Sequence, residues 1–327
     1  MQTQYIYSAS RVNTLAQYLL TRTDIDRLLV AEAGDDLQSA LKETYLAPYL
    51  LQEAPGDMAH AIEATLIEAK QLLRRIAPQG EMLEVLWVQY DLHNLRVFAK
   101  AQALGKGYAD IKRFVSARGI YNPNDLYGYA ERNELNRLQI SWQESYDEAI
   151  RHAAAGEIDQ VDGVFDQLFF ATAARIAESC KDAFLRKYVR TLIDLYNLKS
   201  RLRVETYNQI KFTPVFITGG SFAAREIETK EQVLAAFAQL GGEAYWNKAV
   251  EQFITTGNTT SIDARADEYL IELAKQASFD MFSSASLVLF YLQSRQSAAN
   301  VRTIVVGKNS GMSNEAIEAN LRLAYVN

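Results

Sequence analysis

The chain has 327 residues, of which 49% are apolar and 23% charged, and a formal net charge of −6 at pH 7. That balance excludes a disordered chain, and the length predicts two or three structural units rather than one. The acidic excess argues against nucleic-acid binding through bulk electrostatics, which needs a clustered basic surface.

Helix signals dominate from the first residues onward. Residues 10–20 read as a helix, Asp57 as the cap of a second helix running to the Pro78 break, and residues 79–104, 141–155 and 161–210 as further helices, the last in two pieces. Thr229-Lys-Glu-Gln232 is a capping-box pattern ahead of 233–240. Ser261 and Ser313 are candidate N-caps, and 264–306 reads as almost continuous helix. Only five prolines occur, none after Pro214, which leaves the C-terminal third free of a residue that breaks helices. The short run Pro214-Val-Phe-Ile-Thr218, ending at Gly219-Gly220, reads as a loop rather than a strand. The expected class is all-α.

The most informative pattern is an internal repeat. Asn94-Leu-Arg96, Asn197-Leu-Lys199 and Asn300-Val-Arg302 are spaced 103 and again 103 residues apart (197 − 94 and 300 − 197). Asp91 and Asp194 precede the first two asparagines by three residues, and Ser297 occupies that place in the third. Apolar residues keep the same register. Met82, Leu185 and Val288 lie twelve positions before each asparagine. Val85, Tyr188 and Tyr291 lie nine before, Leu86, Val189 and Leu292 eight before, and Leu95, Leu198 and Val301 one after. Such offsets describe one stripe of a helix. Each copy then meets glycines, at Gly105-Lys-Gly107, Gly219-Gly220 and Gly307-Lys-Asn-Ser-Gly311. A fourth Asn-Leu-Arg, at Asn320 to Arg322, falls outside the period. Periods this long predict repeated small domains rather than a solenoid of short units; the expected divisions are 1–118, 119–222 and 223–327.

The search for chemistry is mostly negative. His60, His93 and His152 have no helical zinc spacing, and Cys180 is the sole cysteine, so neither a zinc site nor an internal disulfide is expected and a reducing compartment is. His93 could act as a base, but a polar helix residue is the better reading. Gly307-Lys308 is not a phosphate loop: Arg302 stands where the earlier glycine is required, and Asn309 replaces the Ser or Thr. It reads instead as a helix C-terminus with its lysine near the carbonyl end. Asp35-Asp36 and Asp267-Glu268 read as helix starts and solvated faces, and Tyr5, Tyr7, Tyr45 and Tyr49 as packing residues, with contact to a partner as the lesser reading. Residues 181–211 hold eight basic side chains against three acidic, and 226–280 ten acidic against four basic. These are solvated faces, or two faces suited to different partners. The N-terminus lacks an apolar signal core, and the longest strongly apolar run, near 285–292, is far short of the ~20 residues that span a bilayer.

Several of these segments resemble a known family. Asp91-Leu-His-Asn-Leu-Arg96, Asp194-Leu-Tyr-Asn-Leu-Lys199, the run from Tyr291 to Lys308, Phe216-Ile-Thr-Gly-Gly220, the tail from Gly311 to Leu321 and Tyr5-Ile-Tyr-Ser-Ala-Ser-Arg11 are similar to the C subunit (d subunit in eukaryotes) of A/V-type rotary ATPases. One departure is visible: Gln293, Gln296 and Ser297 stand where the third copy of that family usually carries acidic residues. The resemblance implies three similar helical subdomains of about one hundred residues around a pseudo-threefold axis, shaped as a funnel. It implies a non-catalytic central-stalk socket that couples a membrane rotor ring (c/K-type subunits) to central shaft subunits (D/F-type), peripheral on the cytoplasmic face. No cofactor, no metal and no direct nucleotide binding are expected. Arg96, Lys199 and Arg302 are the candidate partner-interface residues, with helix-end capping as the competing role. The alternative functions are a general helical scaffold or an all-helical enzyme with an unrecognised site.

Overall fold

The computed structural model describes residues 4–50, 58–206, 215–223, 226–227 and 229–323. Among these the structure is all-α, with no strand. The chain divides into two compact units, residues 81–262 and residues 1–80 joined by 263–327.

The discontinuous unit begins with α1 (Gln4–Ala16), α2 (Arg22–Val30), α3 (Asp35–Leu41), α4 (Ala47–Leu50) and α5 (Met58–Ile76). Asp57, expected to cap α5, lies outside the described residues. The Thr21 hydroxyl accepts from the Asp24 N–H at 3.1 Å while the Asp24 carboxylate accepts from the Thr21 N–H at 2.9 Å, a reciprocal box that fixes the start of α2.

The other unit holds α6 (Val88–Ala103), α7 (Tyr108–Ile111), α8 (Pro123–Glu131), α9 (Ile140–Ala154), α10 (Ile158–Ser179), α11 (Ala183–Thr206), α12 (Lys230–Gln239) and α13 (Glu243–Thr256). Helices α6, α9 and α10 pack on one another, and α11 packs on α10 and α12. Val88, Leu95, Phe98, Trp142, Val161 and Phe165 form the core between α6, α9 and α10. Asn122 caps α8 with Pro123 at its first position, where the missing N–H costs nothing. The expected capping box at Thr229 is present, with Gln232 as its reciprocal partner.

Helix α14 (Thr260–Ala277) leads to α15 (Ala285–Asn309) and α16 (Asn314–Glu318). In the discontinuous unit α15 is the central element, flanked by α1 and α5. Every residue from 285 to 292 is buried, which explains an apolar run without a polar stripe: a helix enclosed on all sides needs none. Ser313 caps α16 as expected, accepting from the Ala316 N–H at 3.2 Å.

Four local expectations are corrected. Residues 79–104 are not one α-helix: Gly80–Leu86 is a 3-10 turn and α6 starts at Val88. Residues 264–306 break at 278–284, where Asp280 accepts from the Phe282 N–H at 2.9 Å and turns the chain. Ser261 is not an N-cap; it lies inside α14 and donates to the Ala249 carbonyl at 3.0 Å, while the Asn258 side chain accepts from the Thr260 N–H at 2.9 Å. The first helix starts at Gln4 rather than residue 10 and ends at Ala16. The expected break in 161–210 is found between Ser179 and Ala183, where Lys181 takes φ 54° and Asp182 accepts from the Leu185 N–H at 2.8 Å.

Candidate functional site

All twelve apolar positions in the 103-residue register are buried. So are the polar residues beside them: Asn94, Asn197, Asn300, Asp91, Asp194 and Ser297. A buried polar side chain is costly unless its hydrogen bonds are met, and here each asparagine meets them in the same way. The Asn94 amide donates to the Ser116 carbonyl and its oxygen accepts from the Ser116 N–H, both at 2.8 Å. Asn197 does the same with Ile217, both at 2.8 Å. Asn300 does so with Arg322, at 2.8 and 2.9 Å. An amide carries a donor and an acceptor side by side, so it can hold both backbone groups of one residue. Each of α6, α11 and α15 thus carries one clasp that pins a passing loop.

A second bond, one helical turn earlier, tightens the first two clasps. Asp91 accepts from the Ile120 N–H at 2.6 Å and the Tyr121 N–H at 3.2 Å. Asp194 accepts from the Ser221 N–H at 2.7 Å and the Phe222 N–H at 3.3 Å. Burial holds the Asp194 carboxyl above its ordinary value, opposed by hydrogen bonds from the Ser221 side chain and the two amides and by the nearby Arg190 charge. Glycine is required at both loops. A Cβ on Gly119 would overlap the Asp91 carboxylate, and one on Gly220 would overlap that of Asp194 and lie 3.1 Å from Ile193 Cγ2. In the third copy the Ser297 hydroxyl accepts a single bond, from the Leu20 N–H at 3.0 Å.

The glycine pattern is therefore corrected. Gly219-Gly220 ends no helix but makes room for a carboxylate, and its counterpart is Gly119, not Gly105 or Gly107. Gly307 lies inside α15, where a Cβ would come within 2.6 Å of Ile317 Cγ1; Gly311, at φ 70°, is the residue past the helix end. Lys308 lies in the last turn of α15, as expected. It donates to the Leu29 carbonyl and, at 2.9 Å, to Asn314. The out-of-period tripeptide has a role after all, since Arg322 supplies the backbone held by Asn300 and its side chain pairs with Asp267.

The three candidate interface residues differ in their surroundings. Arg96 is paired inside its unit with Asp166 at 2.7 Å and Asp162 at 3.5 Å on α10. Lys199 is partly buried, and Arg302 is exposed. His93 lies 3.0 Å from the Phe114 carbonyl, and His152 lies 2.6 Å from Glu157. Tyr5 is buried, Tyr49 bonds to Glu68, and Tyr7 is exposed. Asp36 accepts from the Glu32 N–H at 2.8 Å at the start of α3. Along the basic run of α11, Lys187 and Arg190 are exposed, as is Lys181 just before it.

Comparison with known proteins decides the family. The model of the ATP synthase (C/AC39) subunit family matches residues 9–320. The chain belongs to that family. Among its relatives, the C subunit of the V-type sodium ATPase of Enterococcus hirae is 20% identical, over 94% of this chain and 94% of its own. The C subunit of the V-type ATP synthase of Deinococcus radiodurans is 22% identical over 94% and 88%, respectively. That of the A-type ATP synthase of Methanosarcina barkeri is 23% identical over 97% and 92%. The resemblance read from the Asp-x-x-Asn segments is thereby family membership, and the chain is a C subunit of A/V-type ATPases. Among the described residues no helix of this C subunit is long and apolar enough to cross a membrane.

Proposed function

We propose that this C subunit is a non-catalytic, peripheral member of the central stalk on the cytoplasmic face of the membrane, a socket coupling the rotor ring to the shaft subunits. The observation that carries the reading is the family match across residues 9–320. The clasps supply a physical precondition. A coupling that transmits torque must resist deformation, and a buried side chain that satisfies both backbone groups of a passing residue fixes loop to helix with defined geometry.

Three repeats, 1–118, 119–222 and 223–327, arranged about a pseudo-threefold axis as a funnel, are the architecture proposed for that role, since equal units around an axis leave room for a shaft. The proposed first two boundaries fall beside or within the loops that the Asp91 and Asp194 clasps hold. The exposed Lys181, Lys187 and Arg190 offer a basic face to one partner. Of the three equivalent basic positions, Arg302 is the exposed one and is proposed to face a partner, whereas Arg96 of the first proposed repeat pairs with Asp162 and Asp166 of the second, inside the compact unit 81–262.

The test is reconstitution of the complex with and without this chain, measuring ATP hydrolysis and ion movement together. Hydrolysis should persist while ion movement collapses when the chain is omitted. Undiminished ion movement in its absence overturns the proposal.

A further inference from the structure

In the first two clasps one continuous loop fills both bonds. Ser116 meets Asn94 and, four residues on, Ile120 meets Asp91; Ile217 meets Asn197 and, again four residues on, Ser221 meets Asp194. The third clasp is filled from two places. Arg322 meets Asn300, but the N–H that meets Ser297 belongs to Leu20, 277 residues away in sequence. The segment after Leu20 also matches. Tyr121 is followed at once by the N-cap Asn122 and α8, and Leu20 at once by the N-cap Thr21 and α2, both helices of nine residues.

We propose that residues 20–50 are a strap that completes the third repeat from the other end of the sequence, and that the seam between this strap and α15–α16 opens before the other two clasps. Leu20, Ile25, Leu28 and Leu29 pack in one core with Ala298, Val301, Ile304 and Ile317. Polar bonds across the seam include Leu20 to Ser297, Lys308 to the Leu29 carbonyl, and a surface pair, Arg22 to Glu318 at 2.6 Å, with both side chains almost half exposed. The Ser297 bond joins two neutral groups, whereas Asp91 and Asp194 each receive two amides on a carboxylate, and charge-assisted bonds are the stronger kind. An exposed ion pair adds little. Chain continuity favours the same order. Amides four residues apart are held near each other by the chain, whereas the strap runs between α1 and α5, both packed on α15, and its release frees a longer loop than either of the other two would. The strap therefore combines the weakest clasp, at Ser297, with the longest released loop.

Native-state hydrogen exchange on the full chain tests this, because local opening is read amide by amide. Leu20 should be protected at least tenfold less than Ile120 and Ser221, with the α2 amides behaving like Leu20. Ser297→Ala and, separately, Lys308→Met should lower protection in residues 20–30 at least threefold further and leave 116–121 and 217–222 as they were. A general loss of stability would instead move all three loops together, so the difference between loops is the readout. Equal protection at the three clasps, or losses in both variants spread evenly over all three, overturns the proposal.

Discussion

Gly119→Ala places one methyl group into the Asp91 clasp and nowhere else. Its Cβ would overlap Asp91 Oδ1 and sit 2.7 Å from Cγ, so the loop or the carboxylate must move. The bonds at risk are those from the Ile120 N–H at 2.6 Å and the Tyr121 N–H at 3.2 Å to a fully buried carboxylate. Hydrogen bonds to charged groups contribute about 1.5–3 kcal/mol each, and overpacking costs roughly 1–3 kcal/mol. Partial relaxation that saves one bond leaves a net loss of about 3 kcal/mol. For a unit of 182 residues (262 − 81 + 1), at about 2–4 °C per kcal/mol, the midpoint should fall by about 6–12 °C. All three tryptophans, Trp87, Trp142 and Trp246, are buried in that same unit, so tryptophan fluorescence during a thermal melt follows it selectively. Gly107→Ala, in the same unit, is the control: its Cβ would meet nothing within 4 Å, and it should shift the midpoint by less than about 2 °C. A Gly119→Ala midpoint within the control's range would refute the requirement for close approach.

The two carboxylates should tolerate amidation differently. Both amides at Asp194 point to one oxygen, Oδ1, so Asp194→Asn should cost less than about 1 kcal/mol in urea denaturation, whereas those at Asp91 use both oxygens and Asp91→Asn should cost about 2–4 kcal/mol; equal costs would refute this. The folded Asp194 carboxyl lies above its ordinary 3.8, so the folded state binds its proton more tightly, and this residue's contribution is full below 3.8 and declines as pH rises through the folded value. The stability advantage of the parent over Asp194→Asn should therefore shrink as pH rises above 3.8 and through the raised folded value, and an advantage that grows would reverse the sign. Arg96→Ala should destabilise by about 1–2 kcal/mol through loss of its partly buried Asp162 and Asp166 pairs, while exposed Arg302→Ala should stay within about 0.5 kcal/mol, as read from urea midpoints. Calorimetric titration with Mg-ATP should show no stoichiometric micromolar binding, because Gly307 and Lys308 lie within α15 rather than in a phosphate-cradling loop.

The helical class and the register were legible because burial imposes period on apolar residues. The break between α10 and α11, the capping box at Thr229 and the cap at Ser313 came from side chains that bond their own neighbours. Errors fell where a distant partner decides. Ser261 carries an N-cap side chain, but the Ala249 carbonyl takes its hydroxyl and Asn258 supplies the cap. The 3-10 turn at Gly80–Leu86 buries Met82, Leu83, Val85 and Leu86 while abandoning the α period. Gly119 went unnoticed because its only distinction is a carboxylate arriving from Asp91, on a helix well before it in the chain. Ser116, Ile217 and Arg322 could not have been found at all: the clasp uses their backbone, which any side chain can accompany.

Reliance on backbone groups also explains why the asparagines recur while the residues they hold, Ser116, Ile217 and Arg322, share no side-chain type. A clasp fixes one helical position to one backbone residue, and the separation between the two is 22, 20 and 22 residues. Helices α6 and α15 end at the same distance past the asparagine, nine residues on, at Ala103 and Asn309, and each is followed two residues later by a glycine at positive φ, Gly105 at 64° and Gly311 at 70°. The loops between that glycine and the held residue differ in sequence, while the buried polar groups cannot vary, because an orphaned amide in the core costs about 1–3 kcal/mol. Departures from the pattern then become informative in themselves. Ser297 replaces an aspartate at the one clasp whose second bond comes from Leu20 rather than from its own loop, and a hydroxyl suits a site that receives one amide instead of two.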